Sequence, residues 1–331
     1  MVLSEHGIAV LMSTYNGERY LRMQVESIRQ QSYADWHLYI RDDGSTDSTR
    51  EILRELAQND RRITVIEGKN IGYVASFFEL IRYADALGKD YGYYALSDQD
   101  DVWNPEKLQA AAEMLDLENP EMPLLYGSTS MLVTEDLVPY GITQCKRRPI
   151  TLYNALVQTF LPGHSQMMNR PLLHSLAQTA VAERVYVHDL YTTAVAAAIG
   201  KVVFDNTPHT RYRQHKTNQI GFGKGKFSWL KVRLGRLRGG AGHKVGEQAE
   251  HLYQSYANRM PFEQRQELRQ FLESRTTFFS RLHYVLHSKI YRQKKLGTLA
   301  FKVLYLFGGF NSRSVMQESG AQIPVLYRKK L

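Results

Sequence analysis

Three carboxylates, Asp98, Asp100 and Asp101, stand within four residues in "YYALSDQDDVW", directly behind an apolar run. Like charges this close repel one another, and a divalent cation relieves that repulsion. Carboxylate oxygens suit a hard ion such as Mg²⁺ or Mn²⁺. An Asp-X-Asp spacing behind a strand can then anchor a diphosphate through the ion. An EF-hand starting at Asp98 does not fit, because Val102, Trp103 and Gln109 fall where that loop needs a polar ligand, Gly and Glu. The plainer alternative is a solvated turn in which an Asp caps the helix that begins near Asn104–Pro105.

Two further polar clusters end apolar runs. In "RDDGSTDST", turn and capping chemistry accounts for Gly44, Ser45 and Thr46. It does not account for Asp42 and Asp43 at the end of an apolar strand. A carboxylate there can accept a hydrogen bond from the imide N–H of a pyrimidine base. In "STYNG", Tyr15 is placed to stack on a base, with ordinary packing as the alternative.

The elements that must position these residues alternate. "GIAVLMST", "WHLYIRD", "RITVIEG" and "YYALSD" read as strands, with helical spacing between them. Ser45 or Thr46 is the expected N-cap of the second helix. Continuous apolar strands alternating with helices imply a mostly parallel sheet covered on both faces. Ligands of such sheets bind beyond the carboxyl ends of the strands, where all three polar clusters fall. Further on, "MPLLYGSTSMLV" reads as one strand, "LPGHSQMMNR" as a turn and short strand, "VYVHDLYTTAVAAAIG" as a helix entered at His188–Asp189, and "KVVFDN" as a strand. After Gly221 the composition turns Gly-rich and basic, which marks a boundary: 1–221 as one domain and 222–331 as a helical, basic extension.

The 331 residues carry 43% hydrophobic side chains and a net charge of +9, so a folded protein with an anionic partner is expected. The single Cys145 excludes an internal disulfide and a thiolate metal cluster. No apolar run approaches the ~20 residues that span a bilayer, and no secretory signal is evident.

"VLMSTYNGERYL", "QQSYADWHLYIRDDGSTDST", "NIGYVASF", "YYALSDQDDVWNPEKL" and "VHDLYTTAVAAAIGKVVFDNTPHTRYRQHKTN" together resemble glycosyltransferase family 2, with its nucleotide-sugar-binding GT-A fold. "SDQDDVW" and "YRQH" resemble its bacterial rhamnosyltransferase-like branch. The resemblance covers residues 6 to 221. It implies transfer of a sugar from a nucleoside diphosphate donor to an acceptor hydroxyl, with inversion. Tyr15 would stack on the base beside Ser13 and Asn16, and Asp43 would bind the base edge. Asp98 and Asp100 would be the Asp-X-Asp pair on Mg²⁺ or Mn²⁺, with His215 at the metal or the diphosphate. Asp189 would be the catalytic base. Arg211 and Arg213 are candidates for the phosphates, since guanidinium binds them bidentately. His188 is read as orienting Asp189 or packing. His164 departs from the family pattern and is read as a turn residue, with the acceptor pocket as the alternative. dTDP-rhamnose is the favoured donor and a UDP-sugar the alternative. The implied acceptor is a glycan, lipid-linked, at the cytoplasmic face of the plasma membrane.

"FSWLKVRLGRLR" has Leu230, Leu234 and Leu237 at helical spacing among basic residues, with Trp229 beside them. Such a helix suits an anionic membrane surface. "FFSRLHYVLHSKIYRQKK" and "LAFKVLYLFGGF" add basic and aromatic surface. The rival reading is a basic nucleic-acid- or membrane-binding protein with a vestigial nucleotide fold. The acidic strand ends argue against nucleic acid, whose phosphates they would repel. Oligomeric state is left open.

Overall fold

The computed structural model describes residues 6–143, 145–179, 181–215 and 241–310. In chain order the main elements are β1 (Ile8–Thr14), α1 (Leu21–Arg29), β2 (Trp36–Asp42), α2 (Thr49–Asn59), β3 (Ile63–Glu67), α3 (Tyr73–Ala86), β4 (Tyr93–Ser97), β5 (Val102–Trp103), α4 (Lys107–Asp116), β6 (Leu124–Ser128), β7 (Met131–Val133), β8 (Pro139–Ile142), α5 (Leu152–Ala155), β9 (Met167–Asn169), α6 (Arg170–Thr179), α7 (His188–Ile199), β10 (Lys201–Asp205) and β11 (Thr210–Arg213). Four helices follow: α8 (Ala241–Tyr256), α9 (Phe262–Glu273), α10 (Phe278–His287) and α11 (Lys295–Leu306).

Seven strands form the main sheet in the order β10-β6-β9-β4-β1-β2-β3. All run parallel except β9, which is antiparallel to β4 and β6. The side-chain period of two divides the core. Ala9 and Leu11 join a cluster with α3, α6 and α7, while Ile8, Val10 and Met12 join one with α1, α2 and α4. Helix α7 is apolar nearly all round, and ten of its side chains beyond His188 are buried, so it lies inside the protein.

A second sheet, β5-β11-β7-β8, covers the carboxyl-end edge of the first. It was not expected. "MPLLYGSTSMLV" is two strands, β6 in one sheet and β7 in the other, broken at Thr129–Ser130. The expected cap of α2 also differs. Ser48 is the N-cap, and Ser45 instead donates to Asp42 Oδ1 at 2.5 Å.

The helices after Ala241 extend the larger core cluster: Leu252, Tyr256, Leu268, Phe271, Phe301 and Tyr305 belong to it together with β1 and α7. Gln293 ties the extension to the 145–158 segment. Its Oε1 accepts from the Arg147 and Arg148 amides at 3.0 and 2.9 Å, and its own amide donates to Gln158 Oε1 at 2.9 Å. The basic helix expected at 227–238 lies outside the described residues.

Candidate active site

The ends of β1, β2 and β4 meet, as the parallel sheet requires. Asp43 N donates to Thr14 O at 2.8 Å, joining β2 to β1. Gln99, the middle residue of Asp98-Gln99-Asp100, joins β1 to the acidic loop. Its Oε1 accepts from Thr14 Oγ1 at 2.6 Å and from Tyr15 N at 2.9 Å, and its Nε2 donates to Tyr15 O at 3.1 Å. Clamped on both backbone sides, Tyr15 leaves its ring exposed at the tip of β1.

Ser13 and Asn16 are engaged beside it. Ser13 Oγ donates to Ser76 Oγ at 2.6 Å. Asn16 adopts a φ of 48°, a left-handed conformation that Asn tolerates. Its Oδ1 accepts from Thr46 N at 2.9 Å. Asp43, expected at a base edge, is buried and accepts from three protein donors: Arg41 Nη1 at 2.5 Å, Ile71 N at 3.0 Å and Gly72 N at 2.9 Å. In this arrangement it fixes the 71–72 turn. Asp42 is buried too, bonded to Ser45 and to Arg50 Nε at 3.1 Å.

The metal set expected as Asp98, Asp100 and His215 divides in two. Asp100 Oδ2 lies 2.8 Å from His215 Nε2. Asp98 instead groups with Asp101 and His164, whose ligand atoms all lie within 4.8 Å of one another. His164 is therefore no ordinary turn residue. It is buried, its Nε2 lies 2.9 Å from Ser130 Oγ, and its Nδ1 lies 3.5 Å from Asp98 and 3.3 Å from Asp101. Asp101 is fully buried, and its Oδ2 lacks a hydrogen-bond partner among the described residues.

The electrostatics divide the carboxylates. Burial pushes Asp101 well above the usual carboxylate range, and the charges of Asp100 and Asp98 add to the shift. Burial would raise Asp98 as well, but the His164 hydrogen bond and charge outweigh it and hold Asp98 below its ordinary value. Beneath the loop, burial lowers Lys107 to about 7, with Asp101 opposing. A buried, unpaired carboxylate oxygen next to a carboxylate and an imidazole is a donor set that fits a divalent ion.

Asp189 is buried in the first turn of α7. Burial raises its pKa to about 7, the Asp98 charge adds to the rise, and hydrogen bonds from the Leu190 and Gly163 amides oppose it. Gly163 precedes His164, so the base candidate and the acidic cluster share one turn. His188 packs: its ring stacks on Phe77 with centroids 4.2 Å apart, and neither nitrogen has a hydrogen-bond partner among the described residues. Gly163 gives it room, since a Cβ there would lie 2.5 Å from His188 Nε2.

The two arginines separate. Arg211 is exposed on β11. Arg213 is buried: its amide donates to Asp101 Oδ1 at 3.1 Å, its Nε to Asp100 O at 2.9 Å, and its guanidinium lies over the Tyr20 ring, 4.6 Å from the centroid. Expected at a phosphate, Arg213 instead staples the acidic loop to β11. The strand pattern gave no signal for this difference, because residues two apart, such as Arg211 and Arg213, fall on the same face. Gln99 and His164 had no local signal.

Residues 9–176 match the family model described as Glycosyl transferase family 2. The chain is 28% identical over 221 residues to the dTDP-rhamnosyl transferase RfbG of Shigella flexneri, covering 63% of this chain and 73% of that protein. It is 26% identical over 137 residues to the UDP-Glc:alpha-D-GlcNAc-diphosphoundecaprenol beta-1,3-glucosyltransferase WfgD of Escherichia coli, covering 41% of this chain and 51% of that protein. In structure it is similar to residues 1–349 of S. aureus TarS in complex with UDP-GlcNAc, with a TM-score of 0.56, 14% identity and coverage of 91% of this chain and 81% of that one. The likeness to TarS is one of fold, the GT-A arrangement of a large, mostly parallel sheet flanked by helices.

Proposed function

The chain belongs to glycosyltransferase family 2, and from that premise we propose that it transfers rhamnose from dTDP-rhamnose to a hydroxyl of a lipid-linked glycan, with inversion. The name of the Shigella flexneri relative supports the donor, and a UDP-sugar is the competing one. The name of the Escherichia coli relative supports a diphosphate-lipid acceptor. Residues 1–221 carry the chemistry, and 222–331 serve the acceptor and an anionic membrane surface at the cytoplasmic face.

Inverting displacement needs a base on the acceptor side and charge stabilisation for the leaving diphosphate. Asp189 takes the first role. Its pKa near 7 makes the carboxylate basic enough to draw a proton from a hydroxyl while still ionised in a large fraction of molecules. Asp98, Asp101 and His164 would hold Mg²⁺ or Mn²⁺, with the Asp100–His215 pair beside them. The ion would supply charge neutralisation at the diphosphate. Tyr15 offers its exposed ring to the base, with Ser13 and Asn16 shaping the loop beneath, and Arg211 offers its guanidinium to the phosphates. Asp43 and Arg213 act through the turn and the loop that they hold.

The observation that carries this reading is the single turn at Gly163–His164, which touches both Asp189 and the acidic cluster. The test is Asp189→Asn. Transfer should fall by ~10²–10⁴-fold, the usual worth of a general base, while the donor still raises the unfolding temperature. Normal turnover in that variant would remove Asp189 from its role.

A further inference from the structure

Helices α10 and α11 turn apolar side chains outward. On α10 the exposed positions are Phe278, Phe279, His283, Leu286 and His287, and all but Phe278 share one face at helical spacing. On α11 they include Leu296, Leu299 and Val303, and Phe307 continues the stripe just past the helix end. Phe279 is 79% exposed, Phe307 76% and Leu296 71%. The opposite faces are buried and join the two helices into one unit. The Tyr284 and Tyr305 rings lie 4.8 Å apart, and Arg281 Nε donates to Leu306 O at 2.9 Å. A water-facing helix carries polar residues on its outer face, so the pattern here calls for an occupant.

Charge identifies it. Between Ser274 and Phe310 there are seven Lys or Arg and no Asp or Glu. Arg275 and Lys289 pair with Glu250 and Glu263, and Arg281 and Arg292 donate to backbone carbonyls, so Lys294, Lys295 and Lys302 are the cations that bear on this face. Lys294 and Lys295 are exposed where α11 begins. The occupant is therefore apolar and anionic together. No helix of the described residues is long and apolar enough to cross a membrane, and α11, at 12 residues, is about 18 Å long. Its geometry suits lying in an interface rather than spanning one.

We propose that the α10–α11 face docks on a bilayer surface containing anionic phospholipid. Leu296, Leu299, Val303, Phe307 and Phe279 enter the headgroup boundary while the lysines pair with lipid phosphates. This rests on the reading above, which gives residues 222–331 an anionic membrane surface, and deepens it by naming the face that meets the bilayer.

The test is co-sedimentation of the full chain with vesicles of equimolar phosphatidylglycerol and phosphatidylcholine, against vesicles of phosphatidylcholine alone. The wild type should bind the mixed vesicles at least ~tenfold more strongly, since the anionic lipid supplies the electrostatic part. Leu299→Ser with Phe307→Ser should weaken that binding at least ~tenfold while donor hydrolysis in solution stays unchanged. Three results overturn the proposal: no wild-type binding, binding unaffected by the double variant, or a concentration-dependent dimer that the double variant dissociates. Vesicle binding that persists where no donor is turned over would sink the glycosyltransfer reading and leave this one standing.

Discussion

Asp189 and Asp101 share a property: burial raises both, and each would be more comfortable protonated. For Asp189 the consequence is kinetic. The base works only when ionised, so kcat/KM should rise with pH through an apparent pKa near 7 and level off above it. A profile flat across about pH 5 to 9 contradicts the assignment. For Asp101 the consequence is thermodynamic. A carboxyl whose folded pKa is raised binds its proton more tightly in the folded state, so stability declines as pH rises above its unfolded value of about 3.9. Asp101→Asn keeps an acceptor for the Arg213 amide and removes the charge. Without metal at neutral pH it should unfold at the same temperature as wild type or higher, yet lose the stabilisation that Mn²⁺ gives. A large drop in unfolding temperature without metal would mean that the charge is structurally required. Gln99→Ala removes three hydrogen bonds between β1 and the acidic loop. It should cost about 1–3 kcal/mol in urea unfolding and raise the donor KM. The acidic cluster was legible in the sequence because its members are neighbours in the chain. His164 was not, because what makes it a ligand candidate is the pairing of β9 with β4, a contact between distant segments.

The elements of the main sheet were legible for the same kind of reason. Strands buried on both faces announce themselves as apolar runs, and α7 as an apolar run of helical length. The second sheet was not legible: β5 has two residues and β7 three, too few for a period to show. Its role becomes clear only in space, where β11 pairs with both and carries Arg213 beneath the acidic loop. Helix α7 aims Asp189 and is held at its far end by a close approach. A Cβ on Gly200 would lie 1.8 Å from the Pro123 carbonyl oxygen, a backbone atom that cannot step aside. Gly200→Ala should cost about 1–3 kcal/mol by overpacking and lower the urea midpoint. An unchanged midpoint would show that α7 and β6 shift apart without penalty.

For the molecule as a whole, composition suggested a boundary after Gly221, with 1–221 as one domain and 222–331 as a helical, basic extension. The described C-terminal helices instead share the larger core cluster with the sheet and α7, and His251 of α8 stacks on Tyr191 of α7 with centroids 5.5 Å apart. A chain ending at residue 221 should accordingly be insoluble or fail to unfold cooperatively. A soluble, two-state fragment would restore the two-domain division. The net charge of +9 left a nucleic-acid partner in contention. The charge is unevenly placed: Asp98, Asp100 and Asp101 gather at one strand end, Asp42 and Asp43 are paired with Arg50 and Arg41, and the acid-free segment lies in α10–α11.

The central claim is that the strand ends hold a divalent ion against a nucleoside diphosphate. Calorimetric titration of dTDP-rhamnose into the protein, with Mn²⁺ and with EDTA, tests it most directly. Binding should need Mn²⁺ and should vanish when Asp98 and Asp101 are both changed to Asn. Equal affinity in EDTA, or undiminished affinity in that variant, would contradict the account.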